Sequence, residues 1–134
     1  MPTTGTTATH RYDTLDLTVD GRVAWIRFTR PERLNSITED VLSDLEAALG
    51  AATAAEQVRA AVLTGSGRAF SVGLDLDLLD RAFREPDYLD GVITRLGALL
   101  RTIERLPVPV VAAVNGLARA GGFELMLACD LVVI

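Results

Sequence analysis

The sequence predicts an α/β domain, and three observations carry that prediction. Short apolar strands alternate with amphipathic helices along most of the chain. A hairpin signal, Asp20-Gly21, joins two strand-like runs near the start. Two segments then read strand, glycine turn, helix: Leu63 to Leu76 and Val111 to Leu125. Periodicity alone fits an open, doubly wound sheet with right-handed crossovers.

The elements follow in order. Met1 to His10 is Thr-rich and lacks an apolar h-region, so residues 1–12 read as a disordered tail rather than a secretory signal. Leu15 to Val19 alternates apolar and polar, and Val23 to Phe28 is its hairpin partner. Pro31 disfavours helix at the preceding residue, which makes Arg30 to Asn35 a loop. Thr38 is a good N-cap, with Glu39 and Asp40 in the first turn, and Val41, Leu42, Leu45 and Leu49 recur at helical spacing. Val58 to Leu63 is a short apolar strand expected to be buried on both faces. Asp75 to Leu79 predicts a short helix, and Arg81 to Pro86 a charged, mobile stretch. Tyr88 to Arg105 is amphipathic, with Val92, Leu96, Leu99, Leu100 and Ile103 on one side. Pro107 and Pro109 lead into a strand over Val110 to Val114, followed by helix from Gly121 to Ala128 and strand from Leu131 to Ile134. Trp25, within a strand, is expected in the core.

Composition removes several function classes. The 134 residues are 49% hydrophobic and 23% charged, which is ordinary for a globular domain. No apolar run approaches a membrane span of roughly 20 residues. All 13 basic residues are Arg, which excludes a Walker or Schiff-base lysine. The single histidine, His10, lies in the expected tail, which argues against a Ser-His-Asp triad or a His/Cys metal site. A net charge of −5 without a basic, aromatic-interleaved run argues against nucleic acid. One cysteine, Cys129, permits no internal disulfide and fits a reducing, cytoplasmic compartment. It reads as a small apolar residue on the last helix.

The chemistry lies in the two glycine turns. A helix starting at Gly121 aims its free N–H groups and positive dipole end above the preceding strand. Glycine lets a ligand approach that backbone closely. Glu124 falls in the first helical turn, beside the same spot. Anion-binding amides next to a carboxylate are the parts that chemistry on a carbonyl needs.

Taken together, these segments resemble the crotonase superfamily, which includes the enoyl-CoA hydratases and isomerases. Ala69-Phe70-Ser71-Val72-Gly73-Leu74-Asp75-Leu76 looks like that family's first oxyanion-loop motif. Asn115-Gly116 through Glu124-Leu125, with Ala128-Cys129-Asp130, looks like its second. Val23 to Pro31 and Leu34-Asn35-Ser36-Ile37-Thr38 match its N-terminal strand and turn.

The resemblance implies a spiral of ββα units, here ending after the second oxyanion-motif helix and its following strand. Residues 13–134 would be the N-terminal part of such a domain. It implies an oxyanion hole from the backbone N–H groups of Leu74 and Gly121, with Glu124 as one of two catalytic carboxylates. The second would fall about ten residues beyond Ile134. CoA and acyl contacts would come from Arg33, Leu34, Ala69, Val72, Asp75, Leu76 and Leu117. Asp75 is expected to support its loop, and Arg33 or Arg68 either meets CoA phosphates or is simply solvated.

The implied reaction adds water to an α,β-unsaturated acyl-CoA, in fatty acid metabolism. Alternatives are an isomerase or CoA-thioester hydrolase of the same superfamily, or a non-catalytic CoA-binding member. No metal and no separate cofactor is expected, CoA being part of the substrate. The implied assembly is a homotrimer or dimer of trimers, with no nucleic-acid or membrane partner. One departure stands out. The family shows three glycines after a Leu where this chain has Arg119-Ala120-Gly121-Gly122, so Ala120 is expected at negative φ. Arg119, near the acyl pocket, is expected either to pair with a carboxylate or to contact a polar acyl group, which argues against a plain straight-chain fatty enoyl substrate.

Overall fold

A computed structural model describes residues 7–134. Its main sheet has six strands: β1 (Thr7–Arg11), β2 (Leu15–Asp20), β3 (Val23–Phe28), β4 (Ala60–Thr64), β6 (Val110–Ala113) and β8 (Leu131–Val133). They lie side by side in that order. The first three strands are antiparallel neighbours, while β3, β4, β6 and β8 run parallel. A second, two-stranded parallel sheet pairs β5 (Ala69–Ser71) with β7 (Leu117–Ala118). Four helices complete the fold: α1 (Glu39–Ala54), α2 (Leu76–Arg84), α3 (Pro86–Glu104) and α4 (Gly121–Ala128).

The sheet is one-sided. Leu17, Ile26, Leu63 and Ala112 form one cross-strand row, and all four are buried. Against that face pack Val41, Leu42, Leu45 and Leu49 of α1 and Leu96, Leu99 and Ile103 of α3. Phe28 and Phe70 meet edge-on at 6.0 Å within this core. The next row, Thr18, Trp25, Val62, Val111 and Leu131, points the other way and is partly or fully exposed. Strand side chains alternate between faces, so helices on one side leave the odd positions of β3 uncovered.

Five expectations are corrected by this arrangement. Trp25 is 40% exposed rather than core, because it lies in the uncovered row. For the same reason β4 alternates in burial instead of being buried on both faces. The expected tail ends earlier, since residues 7–11 pair in register with Asp16 to Asp20 as β1. Residues 1–6 of that tail lie outside the described residues. Arg81 to Arg84, read as a mobile stretch, is the last turn of α2. There Arg81 pairs with Glu85 at 2.7 Å and stacks over the Tyr88 ring at 3.9 Å. The doubly wound alternative also fails, because the helices leave one face of the sheet bare.

Candidate active site

Two asparagines set the site's scaffold, and sequence reasoning assigned a role to neither. Asn35 donates to the carbonyls of Ser66 and Ala69 at 2.9 and 2.8 Å and accepts from the Arg30 amide. Asn115 accepts from the Gly65 amide at 2.9 Å and donates to the Ala69 carbonyl at 3.0 Å. Both side chains thus tie the loop after β4 to other segments. The Asn115-Gly116 pair was the available signal. A Cβ placed on Gly116 would stand 2.1 Å from the Arg68 carbonyl oxygen, so only glycine lets β7 lie this close.

The two glycine turns converge. Ile37 and Leu74 form a parallel bridge, with the Ile37 amide donating to Gly73 and the Asp75 amide to Ile37. That pairing turns the Leu74 N–H away from Ile37. Gly73 sits at φ 92, and a Cβ there would meet the Gly121 amide nitrogen at 2.9 Å. Glycine is therefore required at residue 73 both by conformation and by space. On the other loop, the Arg119 carbonyl accepts from Gly122 and Phe123, which starts α4 with Gly121 at its open end. Neither the Leu74 nor the Gly121 amide has an acceptor among the described residues.

Both residues line one cavity of about 930 Å³. Glu124, exposed in the first turn of α4, lines it too. So do Arg33, Leu34, Val72, Asp75 and Leu76. The apolar wall contributed by α3, namely Ile93, Leu96 and Leu100, was not foreseen as part of the site. Ala69 and Leu117 are the two candidates that the structure keeps off the cavity wall. Ala69 is fully buried in β5, and Leu117 lies opposite it in β7. Arg68 is likewise absent from the lining.

Asp75 is committed to the loop rather than to a ligand. Its carboxylate caps α2 through the Asp77 amide at 3.0 Å. It also accepts from the Ser36 hydroxyl at 2.5 Å and from Arg33 at 3.1 and 3.2 Å. Burial, the largest single influence, pushes its pKa up, but the bonds from Ser36, Arg33 and the Asp77 amide outweigh it and hold it below the ordinary value of 3.8. Arg33 is held in turn, since its guanidinium also meets Asp77 at 3.1 Å. Ala120 departs from expectation, with φ at +47 rather than negative. The chain must turn sharply there to bring Gly121 against Gly73. Among the described residues no group of three or more His, Cys, Asp or Glu side chains is placed to hold a metal ion.

A sequence model of the enoyl-CoA hydratase/isomerase family matches residues 18–134. The chain belongs to that family. A protein of Arabidopsis thaliana named probable enoyl-CoA hydratase 1, peroxisomal, is 38% identical over 117 residues, covering 84% of this chain and 41% of its own length. The crystal structure of an enoyl-CoA hydratase from Bacillus anthracis superimposes with a TM-score of 0.77 at 31% identity, over 94% of this chain and 46% of that one. An enoyl-CoA hydratase/isomerase from Xanthobacter autotrophicus Py2 gives 0.82 at 32%, over 91% and 46%. The chain therefore has the crotonase fold and spans less than half the length of these relatives. The Leu74 and Gly121 amides, both without acceptors among the described residues, and the Glu124 carboxylate share one cavity in this enoyl-CoA hydratase/isomerase family member. No helix among the described residues is long and apolar enough to cross a membrane.

Proposed function

We propose that this protein hydrates an α,β-unsaturated acyl-CoA thioester. One observation supports this reading above the rest: two backbone amides without acceptors and one exposed carboxylate line a single, largely apolar cavity. The thioester oxygen would accept from Leu74 and Gly121. Glu124 would take a proton from water as the water oxygen bonds to C3. The C2–C3 electron pair then moves toward C1, and the oxygen gains the charge that the amides hold. C2 finally collects a proton from an acid on the same face. The amides supply transition-state stabilisation of about 3 kcal/mol each. The apolar wall excludes water and strengthens those bonds.

With this reading go a homotrimer or dimer of trimers and a cytoplasmic setting. Family membership supports the first, and the lone cysteine is in keeping with the second. The test uses the protein at its natural length with crotonyl-CoA. Glu124→Gln keeps the shape but cannot accept the proton, and a lost general base costs ~10²–10⁴ in rate. Gly121→Pro deletes one amide donor and should cost at least ~10² in kcat, while Leu74→Ala keeps its amide and should stay within a few-fold. A melting curve accompanies each variant. Glu124→Gln at near wild-type kcat would leave Glu124 a merely structural residue. Product analysis separates hydration from isomerisation and thioester hydrolysis.

A further inference from the structure

Arg119 is a basic residue of this cavity that the proposed reaction leaves unused. It lines the wall two residues before Gly121. Its backbone is fixed: the amide donates to Ser71 at 3.0 Å, and the carbonyl accepts from Gly122 and Phe123. Among the described residues its guanidinium has no carboxylate within 4.0 Å, and the arginine side chains that donate hydrogen bonds are Arg30, Arg33, Arg81 and Arg95, not Arg119. The other arginine of the wall, Arg33, is satisfied by Asp75 and Asp77. The neighbouring wall is apolar. A Cβ built on Gly121 would lie 3.6 Å from Leu96 and 3.1 Å from Ile37, and Ile93 and Leu100 continue the surface along α3.

An exposed, unpaired arginine on the wall of a largely apolar cavity discriminates between ligands. A plain alkyl chain filling this space would strip water from Arg119 and give it no partner, which is costly. A ligand bearing an anion there would instead receive a fork of N–H donors. The position of Arg119 narrows the source of that anion. It adjoins the Gly121 amide, the assigned donor to the thioester oxygen, so the group it meets belongs to the acyl end. The CoA phosphates lie a full pantetheine arm away.

We propose that Arg119 makes the protein selective for acyl-CoA thioesters whose acyl chain ends in a carboxylate. This rests on the acyl-CoA reading of the cavity but not on the hydration step. Binding of saturated, unreactive probes tests it separately. Glutaryl-CoA and valeryl-CoA carry five-carbon acyl chains and identical CoA, and differ only in a terminal carboxylate against a methyl. Calorimetric titration of the natural-length protein should show glutaryl-CoA binding at least about tenfold more tightly, the effect of one charge-assisted hydrogen bond.

In Arg119→Met the ratio of the two dissociation constants should fall to near one, and Arg119→Lys should recover part of it. Raising the salt from 50 to 500 mM should narrow the wild-type gap, because Arg119 is exposed and its pairing with the carboxylate is screened. Equal affinities in the wild type, or a preference that survives Arg119→Met, would overturn the proposal. If neither probe binds, the acyl-CoA reading and this inference both fall. If glutaryl-CoA is preferred while no enoyl-CoA is hydrated, the selectivity stands and the reaction assignment fails.

Discussion

Asp75 offers the sharpest test of how the first loop holds its amide. Asp75 is 3% exposed, and its carboxylate accepts from Ser36 and Arg33 of the β3–α1 segment and from the Asp77 amide of α2, with Arg30 at 3.8 Å. Asp75→Asn keeps the shape and the α2 cap, since the amide oxygen can still accept from Asp77. It removes the charge, and it turns a donor toward either Arg33 or the Ser36 hydroxyl. The Arg33 side chain is 43% exposed, so solvent screens its pair with Asp75 and it contributes little. The buried, charge-assisted bond from Ser36 is worth about 1.5–3 kcal/mol. The expected loss is therefore about 2–3 kcal/mol, dominated by Ser36, and Arg33→Met should cost less than Asp75→Asn.

Urea unfolding of the natural-length protein measures this directly, and its pH dependence checks the cause. The folded pKa of Asp75 is depressed. Its contribution is then fully present above the unfolded value near 3.9 and is lost as pH falls through the folded value. The gap between wild type and Asp75→Asn should be constant from pH 7 to about 5 and close below about pH 4. Because the Asp75 side chain ties the residue next to Leu74 to Ser36 and α2, loosening it should, under the proposed function, lower kcat on an enoyl-CoA more than it raises KM. A stability loss under about 0.5 kcal/mol, or a gap that persists unchanged to pH 2, would refute the reasoning.

Three further outcomes are expected. Asn115→Ala removes the acceptor for Gly65 and two donated bonds, and should cost about 2 kcal/mol by urea unfolding, with Asn115→Asp no better because a carboxylate would face the Ala69 and Gly67 carbonyls. Gly122→Ala would place a Cβ 2.0 Å from the Ser71 carbonyl oxygen, a backbone clash that should cost about 3 kcal/mol or more; a melting point within about 2 °C of wild type would count against this packing of α4 on β5. Burial, and then the charge of Asp130, push the Cys129 thiol up to about 12, so at pH 8 iodoacetamide should label it on the order of 10³ more slowly than in denaturant.

What was legible in the sequence divides along physical lines. Elements that repeat a period were readable: Val41, Leu42, Leu45 and Leu49 mark α1, and all four are buried as the spacing requires. The glycine turns were readable because Gly73 and Gly121 serve a local need, a sharp turn and an open helix end. Contacts that depend on where distant segments meet were not. Nothing near Asn35 in sequence shows that it will hold Ser66 and Ala69, some thirty residues on. Trp25 carried no sign of which face the helices would leave bare. Leu96 was identifiable as an apolar helix position, but not as a wall of the cavity.

Ala120 shows the same limit from the other side. Its neighbours were read correctly as a turn into helix, and a negative φ follows from local preference for a residue with a Cβ. The fold overrides that preference, holding Ala120 at φ 47 and ψ −120 so that the Gly121 amide lies against the Gly73 loop. Such backbone costs about 1–3 kcal/mol for a non-glycine residue, while Ala in place of Gly recovers only about 0.4–1 kcal/mol through the unfolded chain. Ala120→Gly should therefore raise stability by about 1 kcal/mol, read as a higher urea midpoint at unchanged m. A lower midpoint would mean that Ala120 is not strained, and that the geometry bringing the two amides together is a relaxed property of the sequence rather than one imposed by packing around Gly73 and Gly122.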